Sequence, residues 1–423
     1  MSDEELPEGY GEKDAGGGYS APGSPAKHAW GIEYQGTFEG EMDGTARAVR
    51  LHARALAATG LPVWLHSFTG RFLGPDGMIQ SAEAMSQKIK DEVKELTRAS
   101  IGTLRVRIKH AVVPPNGSDF LRSWILPRYV LAQSSPEEMQ ALYRQTIVYS
   151  VWERTTIEPT VAAILRRVGE CWVPSTHNAE LLREHGIERV TVIPHPWEGS
   201  SRLATATGAA GASREKRFYA IGLWQPRKGF HELIGAFLTA FRPGDPASLT
   251  VKFKEFGWRG YPTPDESVMH WLSDGRVRKN GWTIENLAPA LRLRENFWTE
   301  AQVEDLHLES NIYVSSSHGE AFGLPAFDAK LCGNRMVHVP WGGTKDFASE
   351  GDIALPFELE RVPESYRWEP SAKWASLDFE ALVSALQKVE VPTEFQRNAY
   401  VESARFDRVG ALMRARVEEV MRG

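Results

Sequence analysis

The stretch Asn-Ile-Tyr-Val-Ser-Ser-Ser-His-Gly-Glu-Ala-Phe-Gly-Leu-Pro-Ala-Phe-Asp-Ala-Lys-Leu-Cys-Gly, residues 311–333, decides the fold. It predicts a buried strand over 312–316, a glycine-rich turn, and a helix that begins at Pro325. Proline suits the first helical turn because its missing N–H would have no partner there anyway. Gly333 fits the end of that helix. The turn at 322–324 therefore presents backbone N–H groups at a helix N-terminus, which is an anion site.

Two carboxylates flank this predicted anion site. Glu320 lies in the turn and Asp328 lies in the helix, with seven residues between them. An acidic pair beside a phosphate cradle suits a ligand that joins a diphosphate to sugar hydroxyls. A nucleotide-sugar is such a ligand. The alternative is a generic strand, turn and helix that carries surface acids.

A second strand, turn and helix pattern carries two cations. Residues 218–224 predict an apolar strand, and residues 230–241 have apolar side chains at helical spacing. Arg227 and Lys228 lie in the turn between them. A diphosphate leaving group gains negative charge as its bond to the sugar breaks, so a metal or fixed cations must meet it. The chain contains no Asp-x-Asp, the usual spacing for a metal-bridged diphosphate. We therefore predict that Arg227 and Lys228 neutralise the diphosphate. The alternative is that they belong only to a solvated turn.

These two segments resemble the retaining GT-B glycosyltransferases of the glycogen-synthase and mannosyltransferase type, also called glycosyltransferase family 4 or glycosyl transferases group 1. The first segment matches the family's Glu, seven residues, Glu signature, with Asp328 in place of the second Glu. The second resembles the family's Gly-Arg-x4-Lys-Gly element. Gly222 and Lys228 match it, whereas Leu223 stands where the family has Arg. We hypothesise that Arg227 replaces the lost charge.

Strand and helix patterns alternate along most of the chain, which predicts an α/β protein with parallel sheets. We expect a disordered tail over 1–26, because it is rich in glycine and acids and poor in aliphatic side chains. A first Rossmann-like acceptor domain is expected over 27–196 and a second, nucleotide-sugar-binding one over 197–403. The resemblance implies that a final helix, about 404–423, crosses back to the first domain. It also implies the GT-B fold, in which two doubly wound domains face each other across a cleft.

Further candidate site residues lie in both predicted domains. Met42, Asp43 and Gly44 occupy the position of the family's Gly-Gly loop over the phosphates or the acceptor, although the loop's glycines could serve only a tight turn. Glu153 lies where many relatives carry a histidine near the reacting sugar. Glu153 and Arg154 could replace that histidine, or Glu153 could form only a structural ion pair with Arg154 or another base. Trp298 follows a strand-like run and could hold the nucleotide base or belong to the core.

Structural roles are considered for two histidines and for both cysteines. For His195 we favour a hinge or capping role over catalysis, and His318 could contact ligand or only pack. Cys171 and Cys332 lie in apolar contexts, so we expect small core residues of a reduced protein.

Composition narrows the class of protein. The 423 residues suggest two or three domains, and 42% of them are hydrophobic, which is enough for sizeable cores. A net charge of −6 argues weakly against a general nucleic-acid binder. The chain contains no run of eighteen apolar residues, so no transmembrane helix is predicted, and the first residues lack the pattern of a signal peptide. We therefore expect a cytoplasmic protein.

The resemblance implies a metal-independent, retaining hexosyltransferase with no cofactor beyond its nucleotide-diphosphate-sugar donor. Asp328 would accept from the ribose hydroxyls, and Glu320 would contact the donor sugar. Arg227 and Lys228 would stabilise the departing diphosphate, with Glu153 nearby. The remaining implied donor contacts are Gly222, Trp298, Phe322, Gly323 and Leu324.

Two alternatives remain open at this stage, because fold alone does not fix function. One is a non-catalytic GT-B-fold protein that binds nucleotide-sugars, which Leu223 and Asp328 make conceivable. The other is a phosphorylase or an epimerase with the same two-domain form. The sequence also leaves the acceptor open among a glycan, a lipid, a protein, a small metabolite and a modified nucleobase, and it leaves the oligomeric state open.

Overall fold

The computed structural model describes residues 28–38, 44–66, 71–73, 79–81, 87–97, 101–110, 135–199, 201–205, 215–255, 257–258, 260–363, 371–393 and 397–422. The predicted tail over 1–26 and the predicted loop residues Met42 and Asp43 lie outside the described residues.

The first domain is built on a six-stranded sheet in which every neighbouring pair of strands is parallel, with the order β2-β1-β5-β6-β7-β8. Its strands are β1 (His28–Gly36), β2 (Val63–His66), β5 (Ile101–His110), β6 (Thr146–Tyr149), β7 (Glu170–Val173) and β8 (Val190–Val192). A separate antiparallel pair consists of β3 (Arg71–Leu73) and β4 (Ile79–Ser81). The helices of this part are α1 (Gly44–Ala57), α2 (Gln87–Thr97), α3 (Pro136–Arg144), α4 (Pro159–Leu165) and α5 (Thr176–Glu184).

Strand β5 lies between β1 and β6 and was not predicted from the sequence. Its Arg107 and Lys109 suggest a solvated segment. In the sheet they stand directly opposite Glu33 and Gln35 of β1. Arg107 Nε lies 3.2 Å from a Glu33 carboxylate oxygen, and Lys109 donates to the Gln35 side chain. These partners, more than seventy residues earlier in the chain, allow a cationic strand to occupy the middle of a sheet.

The second domain is built on another six-stranded parallel sheet, with the order β11-β10-β9-β12-β13-β14. Its strands are β9 (Lys216–Trp224), β10 (Ala247–Glu255), β11 (Leu291–Glu295), β12 (Ile312–Ser315), β13 (Arg335–His338) and β14 (Ile353–Ala354). An antiparallel pair, β15 (Leu359–Arg361) and β16 (Lys373–Ala375), lies apart. The helices are α6 (Arg202–Thr205), α7 (Phe230–Ala240), α8 (Pro264–Ser273), α9 (Gly275–Lys279), α10 (Glu300–Glu309), α11 (Leu324–Leu331), α12 (Thr344–Phe347), α13 (Phe379–Lys388), α14 (Ala399–Ser403) and α15 (Phe406–Arg422).

Each sheet has its own hydrophobic core. In the second domain the predicted helical face of α7 is buried, including Leu233 and Phe237, and it packs with Phe218 of β9. Cys171 and Cys332 are free thiols and both are buried, in agreement with the prediction of core residues. None of the helices in the described residues combines the length and the apolar character that crossing a bilayer requires.

The final helix, α15, packs against α1 of the first domain. Val409, Met413 and Val417 of α15 are buried in the core cluster of the first sheet. A side-chain carbon at Gly410 would collide with the carbonyl oxygen of Ala55 in α1, so glycine is required for this close approach. The chain thus returns to its first domain after it has formed the second.

Candidate functional site

The two motif turns leave the same edge of the second sheet. Strands β9 and β12 are parallel neighbours, and the chain moves from β9 to β10 on one side and only later to β12 on the other. Ligands of open α/β sheets bind at the carboxyl ends of the strands where the strand order reverses in this way. At that point β9 continues into a 3-10 turn, Pro226–Lys228, and β12 continues into the turn before α11.

Four of the predicted site residues form one ion-pair cluster at this edge. Lys228 Nζ pairs with one carboxylate oxygen of Glu320, and Arg227 Nη1 lies 3.4 Å from the other. Arg227 Nη2 lies 3.1 Å from a Glu153 carboxylate oxygen, which belongs to the first domain. Glu153 therefore does form an ion pair with a base, and that base belongs to the predicted diphosphate site. The cluster contains two carboxylates and two cations and carries no net charge.

Backbone contacts fix the cluster in place. Arg227 Nη1 donates to the carbonyl oxygen of Gly319 at 2.6 Å, and the amide of His318 donates back to the Arg227 carbonyl at 2.7 Å. The Ser316 hydroxyl donates to the carbonyl oxygen of Lys228 at 2.7 Å. A Cβ atom at Gly319 would lie 2.6 Å from the carbonyl oxygen of Glu153, so glycine is needed where the domains touch. The cations are thus held before any ligand arrives.

The charge state of Glu320 follows from this surrounding. Burial alone would raise the pKa of its carboxyl, but Lys228 and Arg227 outweigh burial and hold the pKa at about 2. Burial lowers the pKa of Lys228, and Glu320 opposes that change. The Glu320 carboxylate is therefore ionised at neutral pH and is held by two cations of its own domain.

The predicted anion cradle lies beside this cluster. Helix α11 begins at Leu324, one residue before the expected Pro325, and Gly323 caps it with a φ of +87° that favours glycine. Within the part of the chain that the structure describes, no group accepts a hydrogen bond from the N–H of Phe322, Gly323 or Leu324. A Cβ atom at Gly44 would lie 3.1 Å from a methyl group of Leu324, so the predicted first-domain loop ends beside the cradle.

Asp328 has a partner that was not predicted from the sequence, Arg47. Its Oδ2 lies 2.5 Å from Nη1 of Arg47, and its Oδ1 accepts from Nη2 at 3.1 Å. Arg47 belongs to α1 of the first domain, and its Nε also lies 3.8 Å from a carboxylate oxygen of Glu300. The sequence signal was the position of Arg47 one turn after the glycine loop, but its partner is 281 residues away.

The strand before the cations shows how Leu223 is accommodated. A Cβ atom at Gly222 would lie 3.1 Å from Cε of Lys228, so glycine leaves space for that side chain. Leu223 is 40% exposed. It stands in register with Lys254 of β10, so both side chains project from the same face of the sheet. Lys254 is a further cation of this edge, and it escaped the sequence analysis because strand register is not visible in one sequence.

The predicted base-binding segment follows a strained residue. Asn296, directly after β11, has a φ of +139°, which is unfavourable for a residue other than glycine. Trp298 is partly buried against the core cluster of α10 and α11, and the ring of Phe297 lies 5.2 Å from Nζ of Lys254. Strained backbone is concentrated at ligand sites. This turn therefore remains a candidate for contact with the nucleotide base.

The two singled-out histidines have packing partners. His195 is buried against His52 and Tyr149, and it meets the ring of Phe322 edge-on at 4.7 Å. Burial lowers the pKa of His195 well below its usual value, so the imidazole is neutral. His318 Nδ1 donates to the carbonyl oxygen of Ala375 at 2.7 Å, and the imidazole stacks on Trp374. Its surroundings favour packing over ligand contact.

No protein-family model matches this chain, and no curated protein matches its sequence. Solved structures do match. Sucrose-phosphate synthase from Thermosynechococcus elongatus is 15% identical, and the match covers 93% of this chain and 95% of that chain with a TM-score of 0.51. Anabaena HepE in complex with UDP and glucose is 12% identical over 93% of this chain and 98% of that chain, with a TM-score of 0.49. AviGT4, a glycosyltransferase involved in avilamycin A biosynthesis, is 16% identical over 96% and 97%, with a TM-score of 0.48.

At such low identities the likeness carries the fold and nothing finer. The match to sucrose-phosphate synthase spans both domains. It agrees with the two parallel sheets, each of six strands, whose motif turns meet at the interface between the domains. The chain has the GT-B fold, with two doubly wound domains that face each other across a cleft.

Proposed function

We propose that this protein is a glycosyltransferase that moves a hexose from a nucleoside-diphosphate sugar to an acceptor hydroxyl, with retention at the anomeric carbon and without a metal ion. One observation carries the proposal. Glu320, Lys228 and Arg227 form a preorganised cluster beside the N–H groups of the α11 cap, at the switch point of the second sheet. A GT-B fold supports this function but does not fix it.

The cations have a direct role in leaving-group departure. When the bond between the anomeric carbon and the diphosphate oxygen breaks, negative charge collects on that oxygen. Lys228, Arg227 and the cap amides stabilise this charge with dipoles and cations that need no rearrangement. For this, Lys228 shares its ammonium group between Glu320 and the diphosphate.

The acceptor then attacks the face that the leaving group quits. A new bond forms between the acceptor oxygen and the anomeric carbon, and the acceptor proton passes to the departing phosphate oxygen. Glu320 contacts the donor sugar, and its charge stabilises the cationic character that the sugar develops in the transition state. Glu153 orients Arg227 from the opposite domain. Closure of the cleft excludes water from the reacting centre.

The nucleoside end of the donor extends along α11. Asp328 accepts from the ribose hydroxyls, and the strained turn of Asn296 holds Phe297 and Trp298 for the base. The acceptor meets the donor across the cleft, beside Gly44 of the first domain.

A two-step assay tests the proposal. Thermal unfolding with UDP, GDP and ADP, against inorganic phosphate and pyridoxal phosphate, should show stabilisation by one nucleoside diphosphate. The matching nucleotide-sugars are then tested for slow hydrolysis, which needs no acceptor, and EDTA should leave that activity intact. Binding without turnover would support a non-catalytic nucleotide-sugar-binding protein. Activity that EDTA abolishes and Mg²⁺ restores would contradict metal independence.

A further inference from the structure

The ion pair between Arg47 and Asp328 crosses the cleft at the proposed ribose subsite. It is bidentate, because each carboxylate oxygen meets a different guanidinium nitrogen, at 2.5 and 3.1 Å. Pairs of this geometry are stronger and more directional than a single hydrogen bond. The pair therefore competes seriously with any other ligand of Asp328.

The burial of the pair shows what a ligand would meet. The Asp328 side chain is only 6% exposed, whereas that of Arg47 is 25% exposed. Arg47 thus contacts both carboxylate oxygens of a nearly buried Asp328 while part of its own side chain faces solvent. A ribose diol that binds both carboxylate oxygens would compete with Arg47 at each of them.

Arg47 is held from two sides of the same subsite. Its Nη atoms bind Asp328 of α11, and its Nε faces Glu300 at the start of α10. Other contacts also join the domains, among them the pair of Arg227 with Glu153 described above. Further contacts connect Ser175 to Ala321, Thr176 to Asp346 and Glu180 to Lys345. Release of Arg47 alone therefore exposes Asp328 without the loss of every contact between the domains.

We propose that Arg47 gates the ribose subsite. In the donor-free protein it occupies Asp328 and holds this part of the cleft shut, and the donor binds when its ribose hydroxyls replace the guanidinium. The inference rests on the proposed nucleotide-sugar function. It gives Arg47 a measurable effect on affinity, because a ligand that binds only the released state is weakened by the rarity of that state.

Isothermal titration calorimetry with UDP, GDP and ADP, and with their 2′-deoxy forms, tests the gate. We expect Arg47→Ala to bind the preferred nucleotide about tenfold more tightly than the parent protein. The gain should vanish in the Arg47→Ala/Asp328→Ala double variant, and the 2′-deoxy nucleotide should gain less than the normal one. Arg54→Ala is the matched control, because Arg54 lies on the same helix, is 30% exposed and pairs with Glu198 at 2.6 Å. It should bind like the parent.

The opposite results overturn the gate. Weaker binding by Arg47→Ala would mean that Arg47 contacts the donor, and unchanged binding would mean that the pair does not cover the site. Should Arg47→Ala fail to fold, Arg47→Lys keeps the charge but loses the bidentate geometry. It should bind about threefold more tightly than the parent, by the same reasoning.

A second readout separates the gate from the function. Small-angle X-ray scattering of the ligand-free proteins should show the same radius of gyration for Arg47→Ala, Arg54→Ala and the parent, because the other contacts between the domains remain. A larger radius would overturn a gate confined to the ribose subsite. Unchanged affinity of Arg47→Ala would reject the gate, while nucleotide binding by the parent keeps the proposed function. If no nucleoside diphosphate bound to any variant, the proposed function would fail, and the gated ribose subsite would fail with it.

Discussion

The two carboxylates that flank the N-terminus of α11, Glu320 and Asp328, differ in the origin of their cations. Glu320 is held by Lys228 and Arg227, which belong to the same domain and to a turn of the neighbouring strand. Asp328, eight residues later, is held by Arg47 of the opposite domain. The first arrangement survives any movement of the domains, whereas the second exists only while the cleft is shut.

This difference separates preorganisation from coupling. A charge fixed within one rigid unit is ready for chemistry without reorganisation, which is the main source of electrostatic catalysis. A charge satisfied from across a cleft changes partners whenever the cleft opens, so it can report on ligand binding but cannot be preorganised. Substitutions at the two carboxylates and at their cations should therefore have different kinetic signatures.

Lys228→Ala should produce the largest effect, because it removes a preorganised cation from the Glu320 side of the comparison. Loss of such a group costs roughly 3 kcal/mol, on the order of a hundredfold in rate. Steady-state kinetics with the nucleotide-sugar found by the hydrolysis screen would measure it, with thermal unfolding as a check on folding. Unchanged turnover would remove Lys228 from the mechanism.

Glu320→Gln and Asp328→Ala should affect different kinetic constants, kcat for the first and KM for the second. Glu320 faces the sugar that changes during the reaction, so its loss should mainly lower kcat. Loss of Asp328 should mainly raise the donor KM, by about 1 to 3 kcal/mol for a charge-assisted hydrogen bond. A 2′-deoxyribose donor should bind poorly to the parent, but no worse than the normal donor to Asp328→Ala. Equal losses of kcat in both variants would contradict this division.

The pH dependence of stability should distinguish the charged cluster from the buried histidines of the first domain. Burial lowers the pKa of His52 from 6.5 to about 4, and the carbonyl oxygens of Ala48 and Pro194 oppose this only in part. As pH falls below 6.5, the His52 imidazole binds a proton in the unfolded chain but stays neutral in the folded protein. His52 therefore destabilises the fold by about 2 kcal/mol between pH 6.5 and 5.

The Glu320 carboxyl behaves differently over that interval. Its folded pKa of about 2 lies below the ordinary 4.5, so its stabilising contribution is present above pH 4.5 and is lost only as pH falls towards 2. Thermal unfolding between pH 7 and 5 should thus show a shallower slope for His52→Gln than for the parent or for a variant of the exposed His270. Parallel slopes would show that His52 is not the group that titrates.

Leu223→Arg should have the smallest effect. The position is exposed, and arginine there would add a cation to the domain that already holds Lys228 and Lys254. We expect a gain in nucleoside-diphosphate affinity of about 1 kcal/mol, which calorimetry would detect as roughly fivefold. A Leu223→Met variant is the uncharged control. No gain would indicate that the diphosphate does not reach this strand end.

The parts of the site that came from the sequence are those whose contacts are local. The turn of Glu320 and the start of α11 follow from glycine and proline positions a few residues apart, and the structure places the helix within one residue of the prediction. Contacts between distant segments were not accessible. Strand β5 was missed because its Arg107 looks solvated until Glu33 is placed opposite, and Arg47 was missed because its partner lies on another domain.

Helix α15 sets the order in which the two halves of the molecule are completed during synthesis. Val409, Met413 and Val417 fill the core of the first domain, yet the ribosome produces them after every strand of the second sheet. The second domain has its sheet contiguous in the chain and can bury its core as it emerges. The face of α1 that α15 covers stays exposed until α15 has been synthesised. The first domain is therefore synthesised first but completes its core last.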